Sequence, residues 1–473
     1  MIPLAEYAPA PGELIEFQAV ATAPAPATAA VPHPAPPSHL QESHLRQRLA
    51  HSGELPETWL GLFFDLPGRL DTKAMAAALA AWVRRHPTLL TWFALDRDLV
   101  RRHALSPEAV SFAPMSLGTH DTAEEIRNHL RTRFARGTDP AAWPPLVVCA
   151  IPRQTQSTIV LAVDHAHTDG LSILLAFSEL RACYAAALSG SDARLPDAGS
   201  HVEFSLLERQ CSARLDASAG EVAQWRDFLE SGPFTGAFPL GIAPDTAYPA
   251  AAVTVDLFDA SAAVSFARAC RTQGADFLAG TLAAFASAGR ALGGPDTCRA
   301  LMLVHTRDER RWRYAQGWFV NTVPMEFSAT GTFPEVLAAA RGGVERARRT
   351  SGVTPARLTE LLPELSGPLA HAARTLPLVS YLDLRSVRGA VDWADHNVNS
   401  LVAMGRTSVP RLWVNRLRDQ TYLRIAHPDT STARESVLRF AALVSDFMGE
   451  VAHSGETGGA PTPAVTATVR KRQ

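Results

Sequence analysis

Lysine is almost missing from this chain: it stands only at Lys73 and Lys471, although 45 residues are Lys or Arg. With the heavy Ala content this reads as a GC-rich bacterial coding bias and carries no functional signal. A surplus of positive charge is missing too, with 45 basic against 47 acidic residues and a net charge of -2. A nucleic-acid-binding face shows as a basic excess or stripe, so that class of partner is excluded. Cysteine is scarce, at Cys149, Cys183, Cys211, Cys270 and Cys298, odd in number and without CxxC spacing. A disulfide framework and a cysteine zinc site are therefore not expected. The start, MIPLAEYAPAPGE, lacks the basic residues and apolar run of a signal peptide. The most apolar stretch, Phe277 to Gly289, is too short and too rich in Gly and Ser to span a bilayer, which takes about 20 residues. A soluble, cytoplasmic protein without a transmembrane segment is the expectation. No internal repeat and no GxSxG nucleophile elbow occur.

What is present is apolar material for a sizeable core, 47% of 473 residues. The length suits roughly two or three ordinary domains or one large two-lobed unit. Residues 18–38 are rich in Ala and Pro and read as a surface strap. A strand is predicted at 58–66, then a helix over 72–86 capped by Asp71 and stopped by Pro87. The run STIVLAV (157–163) predicts a buried strand, and 171–188, apolar on two sides, a buried helix. SGSDARLPDAGS (189–200) is turn-rich and marks the lobe boundary. Helices follow at 221–230 and 276–292, and strands at 299–305 and 320–327. The tail 454–473 has little to bury and is expected to be disordered. The reading is a mixed α/β chain of two lobes, 1–200 and 201–453.

The chemistry concentrates in VDHAHTDGLS (163–172), a short turn between strand and helix. The strand delivers His165 to its C-terminal end, a frequent place for catalytic groups. Asp169 stands just before the helix, and Gly170 is expected to allow an unusual backbone path. Three readings fit these residues. Asp169 is a plain helix N-cap and His165 a hydrogen-bonded turn residue. Alternatively, His165-x-His167-x-Asp169 supplies metal ligands and resembles the HxHxDH signature of metallo-β-lactamase-fold hydrolases, although Gly170 replaces the last His. Or His165 is a general base, since imidazole titrates near neutrality, and Asp169 is its structural support.

The rest of the chain bears on the choice. RRHPTLLTWF (84–93) resembles the RHxxLRTxF segment of condensation domains, and PPSHLQESHLR (36–46) sits where they carry S-x-x-Q. HVEFSLLERQ (201–210) resembles their Y-x-D-Y-x-x-W-Q helix. QGWFVNTVP (316–324) resembles GxFVNT, and also the DFGWG element of plant-type HxxxD acyltransferases. Arg307 stands ten residues before Gly317, where these domains have a strand-end arginine. With PDTSTARESVLRF (428–440) and PAPGELIEFQ (9–18), the chain from about 8 to 452 resembles the actinobacterial polyketide-associated protein (Pap) acyltransferases.

That resemblance implies a chloramphenicol-acetyltransferase-like fold, two lobes with an active-site tunnel between them. It implies His165 as general base within the tunnel, and Asp169 paired with Arg307 to hold the HxxxDG loop in shape. Trp318 and Asn321 become candidate tunnel or oxyanion contacts, although Trp318 and Phe319 also read as core aromatics. It implies acyl transfer from a thioester, on coenzyme A or an acyl carrier protein, to a hydroxyl of a small-molecule acceptor in secondary-metabolite or complex-lipid assembly. The phosphopantetheine arm would enter as co-substrate, with no metal or redox cofactor, and a monomer is expected. Condensation domains usually read HHxxxDG, whereas here the first His is Asp164. This leans toward an ester-forming enzyme and is expected to raise the pKa of His165. An amide-forming condensation enzyme of nonribosomal peptide assembly and a non-catalytic docking platform for carrier proteins are the alternatives.

Overall fold

The computed structural model describes residues 1–21, 31–49, 57–97, 99–243 and 246–457. They form two compact units of mixed α/β architecture. The first comprises Met1–Ala213 together with two segments from later in the chain, His305–Val320 and Val387–Met404. The second comprises Arg214–Val304, Asn321–Ser386 and the chain from Gly405 onward.

The first unit is built on a seven-stranded sheet in the order Ile2–Pro3, Asn399–Val402, Trp59–Pro67, Gln156–Asp164, Leu146–Ile151, Gly12–Ala21, Val110–His120. Gln156–Asp164 lies at its centre, antiparallel to both neighbours, with every residue from Ser157 to Asp164 buried. A strand covered on both faces needs a continuous apolar run, which is what STIVLAV supplies. Alternation divides its partner strand: Phe63 packs with Ile126, Leu130 and Phe134 of the helix Ala123–Gly137. Phe64 turns the other way, its ring 5.2 Å from Phe177 on the helix Gly170–Ser189.

The helix Thr72–Arg85 packs beside Gly170–Ser189 and starts where Asp71 accepts from the Ala74 amide at 2.9 Å. Among the described residues Gly170–Ser189, rather than 277–289, is long and apolar enough to cross a membrane by length and composition. Its apolarity has a packing cause, because Ile173, Ala176, Phe177 and Leu180 are all at most 1% exposed within the unit. Gly190, in the left-handed conformation, ends it.

The second unit carries another seven-stranded sheet, ordered Val320–Ser328, Thr297–His305, Leu378–Asp383, Arg411–Arg416, Gln420–Pro428, Tyr248–Asp259, Arg406–Thr407. The helices Ala260–Thr272, Phe277–Ala291, Phe333–Arg349 and Ser431–Thr457 supply the rest of its large apolar core. Of the segment 18–38, Gln18–Ala21 finish a strand of the first unit's sheet, and 22–30 lie outside the described residues. The final helix continues through Thr457, four residues into the stretch expected to be disordered, and 458–473 lie outside the described residues.

Candidate active site

The central strand ends at Asp164 and the chain folds into one turn of 3-10 helix, His165–His167, before the long helix begins at Gly170. Asp169 is the N-cap: its Oδ1 accepts from the amides of Leu171 at 3.0 Å and Ser172 at 2.6 Å. The capping reading of Asp169 is thus correct, but capping uses only part of the carboxylate. Oδ2 accepts from the Phe319 amide at 2.9 Å, and Arg307 Nη2 lies 3.2 Å from it. Both side chains of this ion pair are buried, 1% exposed for Asp169 and 5% for Arg307.

Arg307 is held in turn by everything around it. Its Nη1 donates to the carbonyls of Trp312 and Ala315 at 2.7 and 2.8 Å. Nη2 also donates to Ser172 Oγ at 2.6 Å, and the guanidinium lies 4.2 Å over the Phe319 ring. Ser172 Oγ donates to the Gly317 carbonyl at 2.8 Å and accepts from the Gly317 amide at 3.2 Å. Burial pushes the Asp169 carboxyl up, but Arg307 and the Ser172 and Phe319 amides outweigh it and hold the pKa below the usual aspartate value. The segment 307–319 is therefore riveted to the His165 loop through one buried carboxylate.

Gly170 departs from expectation. It is the first residue of a regular helix and takes no left-handed backbone. The glycine that the geometry requires is Gly317, with φ +150°, where a Cβ would meet His201 atoms at 2.4 Å. His201 heads the helix His201–Ser212 and its Nε2 donates to the Trp318 carbonyl at 3.0 Å. Burial drives its pKa down to about 3, so it is a neutral structural donor.

His165 itself is half-buried. Its backbone amide donates to the Thr58 carbonyl at 2.9 Å, and its Nδ1 is enclosed. Nε2 makes no hydrogen bond among the described residues and keeps accessible surface. The Trp318 ring lies against the imidazole, with centroids 4.1 Å apart and planes inclined by 33°. Burial lowers the His165 pKa, the neighbouring His44 lowers it further, and its own backbone carbonyl, Asp164 and Asp169 offset this only in part. The expected rise caused by Asp164 is therefore reversed in the sum: desolvation of the imidazolium is the larger effect. The result is a neutral imidazole near pH 7 with one open nitrogen, the form that accepts a proton.

His167 is not a partner of His165. It is buried, its Nδ1 donates to the Thr88 carbonyl at 2.9 Å, and burial lowers its pKa to about 4. With Asp169 committed to Arg307, the proposed chelate is dispersed, and among the described residues no group of three or more His, Cys, Asp or Glu is placed to hold a metal ion.

The two remaining candidates separate. Trp318 stands at the site, whereas Phe319 is fully buried with Trp312 and Ala315, so the core-aromatic reading holds for Phe319 alone. Asn321 belongs to the other unit, where its Nδ2 donates both hydrogens, to the carbonyls of Ser351 at 2.8 Å and Val353 at 3.0 Å. No donor is left for an oxyanion, and its task is to clamp the backbone after the helix Phe333–Arg349.

Several supports escaped assignment from sequence. Gln41 Nε2 donates to the Ala166 carbonyl at 2.6 Å, and its Oε1 accepts from Arg102 Nη2 at 3.0 Å. His86 contacts the Glu179 carboxylate at 2.5 Å, while Gln316 Nε2 donates to Thr168 Oγ1 at 2.8 Å. Gln41, His86 and Thr88 lie in the two segments, 36–46 and 84–93, that resemble condensation-domain motifs; Gln41 and Thr88 bond to the His165 loop, and His86 holds Glu179 on the helix that follows it.

Comparison with known proteins identifies the family. The family model "Condensation domain" matches residues 57–366, more than half of the chain. Acyltransferase PapA3 of Mycobacterium tuberculosis is 28% identical over 476 residues, covering 96% of this chain and 97% of the relative. Trehalose-2-sulfate acyltransferase PapA2 of Mycobacterium bovis is 28% identical over 457 residues, 94% and 95% of the two chains. The solved structure titled PapA2 acyl transferase superposes with a TM-score of 0.85 at 26% identity, covering 95% of this chain and 99% of that one. The chain thus belongs to the condensation-domain family, with its chloramphenicol-acetyltransferase-like fold, and is similar to the Pap acyltransferases over nearly its whole length.

Proposed function

We propose that this protein transfers an acyl group from a thioester, carried by coenzyme A or an acyl carrier protein, to a hydroxyl of a small-molecule acceptor. The observation that carries the reading is the open Nε2 of a neutral His165 on a loop locked by the Asp169–Arg307 pair. Nε2 takes the acceptor's proton as its oxygen attacks the thioester carbonyl. The tetrahedral intermediate then collapses, and the proton passes from the imidazolium to the departing thiolate. General-base catalysis of this kind contributes about 10²–10⁴-fold. Fixing the base relative to both reactants supplies the rest through orientation. Asp169 takes no proton in this scheme; its lowered pKa keeps it charged against Arg307. Acyltransferase relatives, among them one named for a trehalose-2-sulfate acceptor, support an ester product in complex-lipid assembly. The phosphopantetheine arm enters as part of a substrate, and the scheme needs no resident cofactor.

The test is thiol release from acyl-coenzyme A thioesters of graded chain length, and from acyl carrier protein, with and without pooled polyol and amine acceptors. Acceptor-dependent release by the wild type that disappears in His165→Ala is expected. Undiminished transfer by a folded His165→Ala protein would contradict the assignment, and transfer to amines alone would replace the ester product by an amide.

A further inference from the structure

The substitution at the first position of the HHxxxDG pattern has a structural counterpart 120 residues earlier. Asp164 is fully buried, and three side-chain or backbone donors converge on it. The Ala166 amide donates to Oδ1 at 2.8 Å, Thr58 Oγ1 to Oδ2 at 3.0 Å, and His44 Nε2 lies 3.3 Å from Oδ1. Burial pushes such a carboxyl up, but His44 and the Ala166 amide outweigh it and hold it below the usual aspartate value. An ionised acceptor requires the proton of His44 to sit on Nε2, which leaves Nδ1 as an acceptor in the neutral ring. Nδ1 makes no hydrogen bond among the described residues and keeps accessible surface. The His44 ring, on the helix His39–Leu49, meets Trp318 edge-on with centroids 5.6 Å apart, and Trp318 lies in turn against His165.

We propose that His44, oriented by the buried Asp164 carboxylate, is a second imidazole of the acyl-transfer site, whose Nδ1 accepts a hydrogen bond from the acceptor. The chain has an aspartate where a histidine is usual, and that aspartate anchors an imidazole brought in from another helix. This rests on the acyl-transfer reading of His165. His44 is a positioning group: it holds an acceptor hydroxyl, while the proton that leaves the attacking oxygen goes to His165. No bond breaks at His44.

The experiment compares wild type with His44→Ala, His44→Asn and Asp164→Asn, each first checked by circular dichroism and thermal melting. Loss of one neutral hydrogen bond to the acceptor predicts a fall in acceptor kcat/KM of about tenfold in His44→Ala, with the donor KM held. His44→Asn should recover part of it. The double variant His44→Ala/Asp164→Asn should fall no further than His44→Ala, because the carboxylate acts through the ring. The acid limb of the rate profile gives a signed readout. The groups facing His165 are His44, Asp164 and Asp169. Removing the negative charge of Asp164, which raises the His165 pKa, moves the limb to lower pH in Asp164→Asn. Nitrogen-15 NMR of the imidazoles tests the pair without any turnover: His44 should be the Nε2–H tautomer in wild type and a mixture in Asp164→Asn. An acceptor kcat/KM equal to wild type in a folded His44→Ala protein would overturn the proposal. So would a tautomer ratio indifferent to Asp164→Asn. Failure of the acyl-transfer reading is separate, because it appears as transfer that survives His165→Ala or is missing in wild type, while the tautomer result still stands.

Discussion

The second unit's interior and the ground beneath the His165 loop in the first unit solve different problems. In the second, Phe238 and Phe440 stack with centroids 4.2 Å apart, and Leu423, Ile425 and Leu282 join the same apolar cluster. Under the loop, Asp164, Asp169, His167, His201 and Arg102 are all at most 1% exposed, and the neighbouring Glu179 is 3% exposed. Apolar packing is strong but weakly directional, so it stabilises a unit without fixing one side chain to within a fraction of an ångström. Buried charges cost desolvation, and that cost is recovered only in one geometry. A loop that must present Nε2 of one histidine is therefore built on the second kind of interior.

The largest effect expected from breaking this contrast is at Arg307. Its removal leaves the buried Asp169 carboxylate without its counter-charge, and Arg307→Ala should destabilise by about 3–5 kcal/mol and abolish transfer. Denaturant unfolding and a transfer assay together check this, and Asp169→Asn should likewise harm the loop's fold as much as the chemistry. Leu423→Ala in the other unit should destabilise by about 2–5 kcal/mol, yet leave the rate per folded molecule unchanged. A Leu423→Ala enzyme that loses transfer while fully folded would break the comparison. Asn321→Ala removes a backbone clamp and leaves the buried Val353 carbonyl and the half-buried Ser351 carbonyl short of a donor, a cost of about 1–3 kcal/mol for the buried one, read as a lower melting temperature with transfer retained.

Acid should unravel the polar interior first. His201 and His167 have folded pKa values of about 3 and about 4, below the ordinary histidine value of 6.5. The unfolded chain therefore binds more protons between pH 6.5 and those values, and stability present above 6.5 falls as the pH drops. Each histidine contributes up to about 1.4 kcal/mol per pH unit in that window. Urea unfolding across this range measures the slope, and His201→Gln should flatten it.

Much of this was legible in the sequence where local pattern and tertiary role coincide. The runs at 157–163 and 171–188 had to be buried on more than one side, and the strand Gln156–Asp164 and helix Gly170–Ser189 are. His165, Asp169 and Arg307 could be picked out because strand end, N-cap position and family spacing converge on them. Trp318 and Phe319 could not be separated, since neighbours in an extended segment face opposite ways and sequence does not say which faces the site. Asn321 sits in the same motif two residues on, but its amide satisfies carbonyls 30 and 32 residues away. His44 was invisible for the same reason: its link to Asp164 spans 120 residues and leaves no local trace.

The central claim is that a neutral His165 with a depressed pKa is the base. Single-turnover acyl transfer by wild type and His165→Ala, followed from pH 4.5 to 8, tests it most directly. The account predicts a wild-type rate that rises through a single pKa below 6.5 and levels off before neutrality, and a His165→Ala rate that stays low throughout. A limb at or above 6.5, or a His165→Ala profile that tracks wild type, would contradict it.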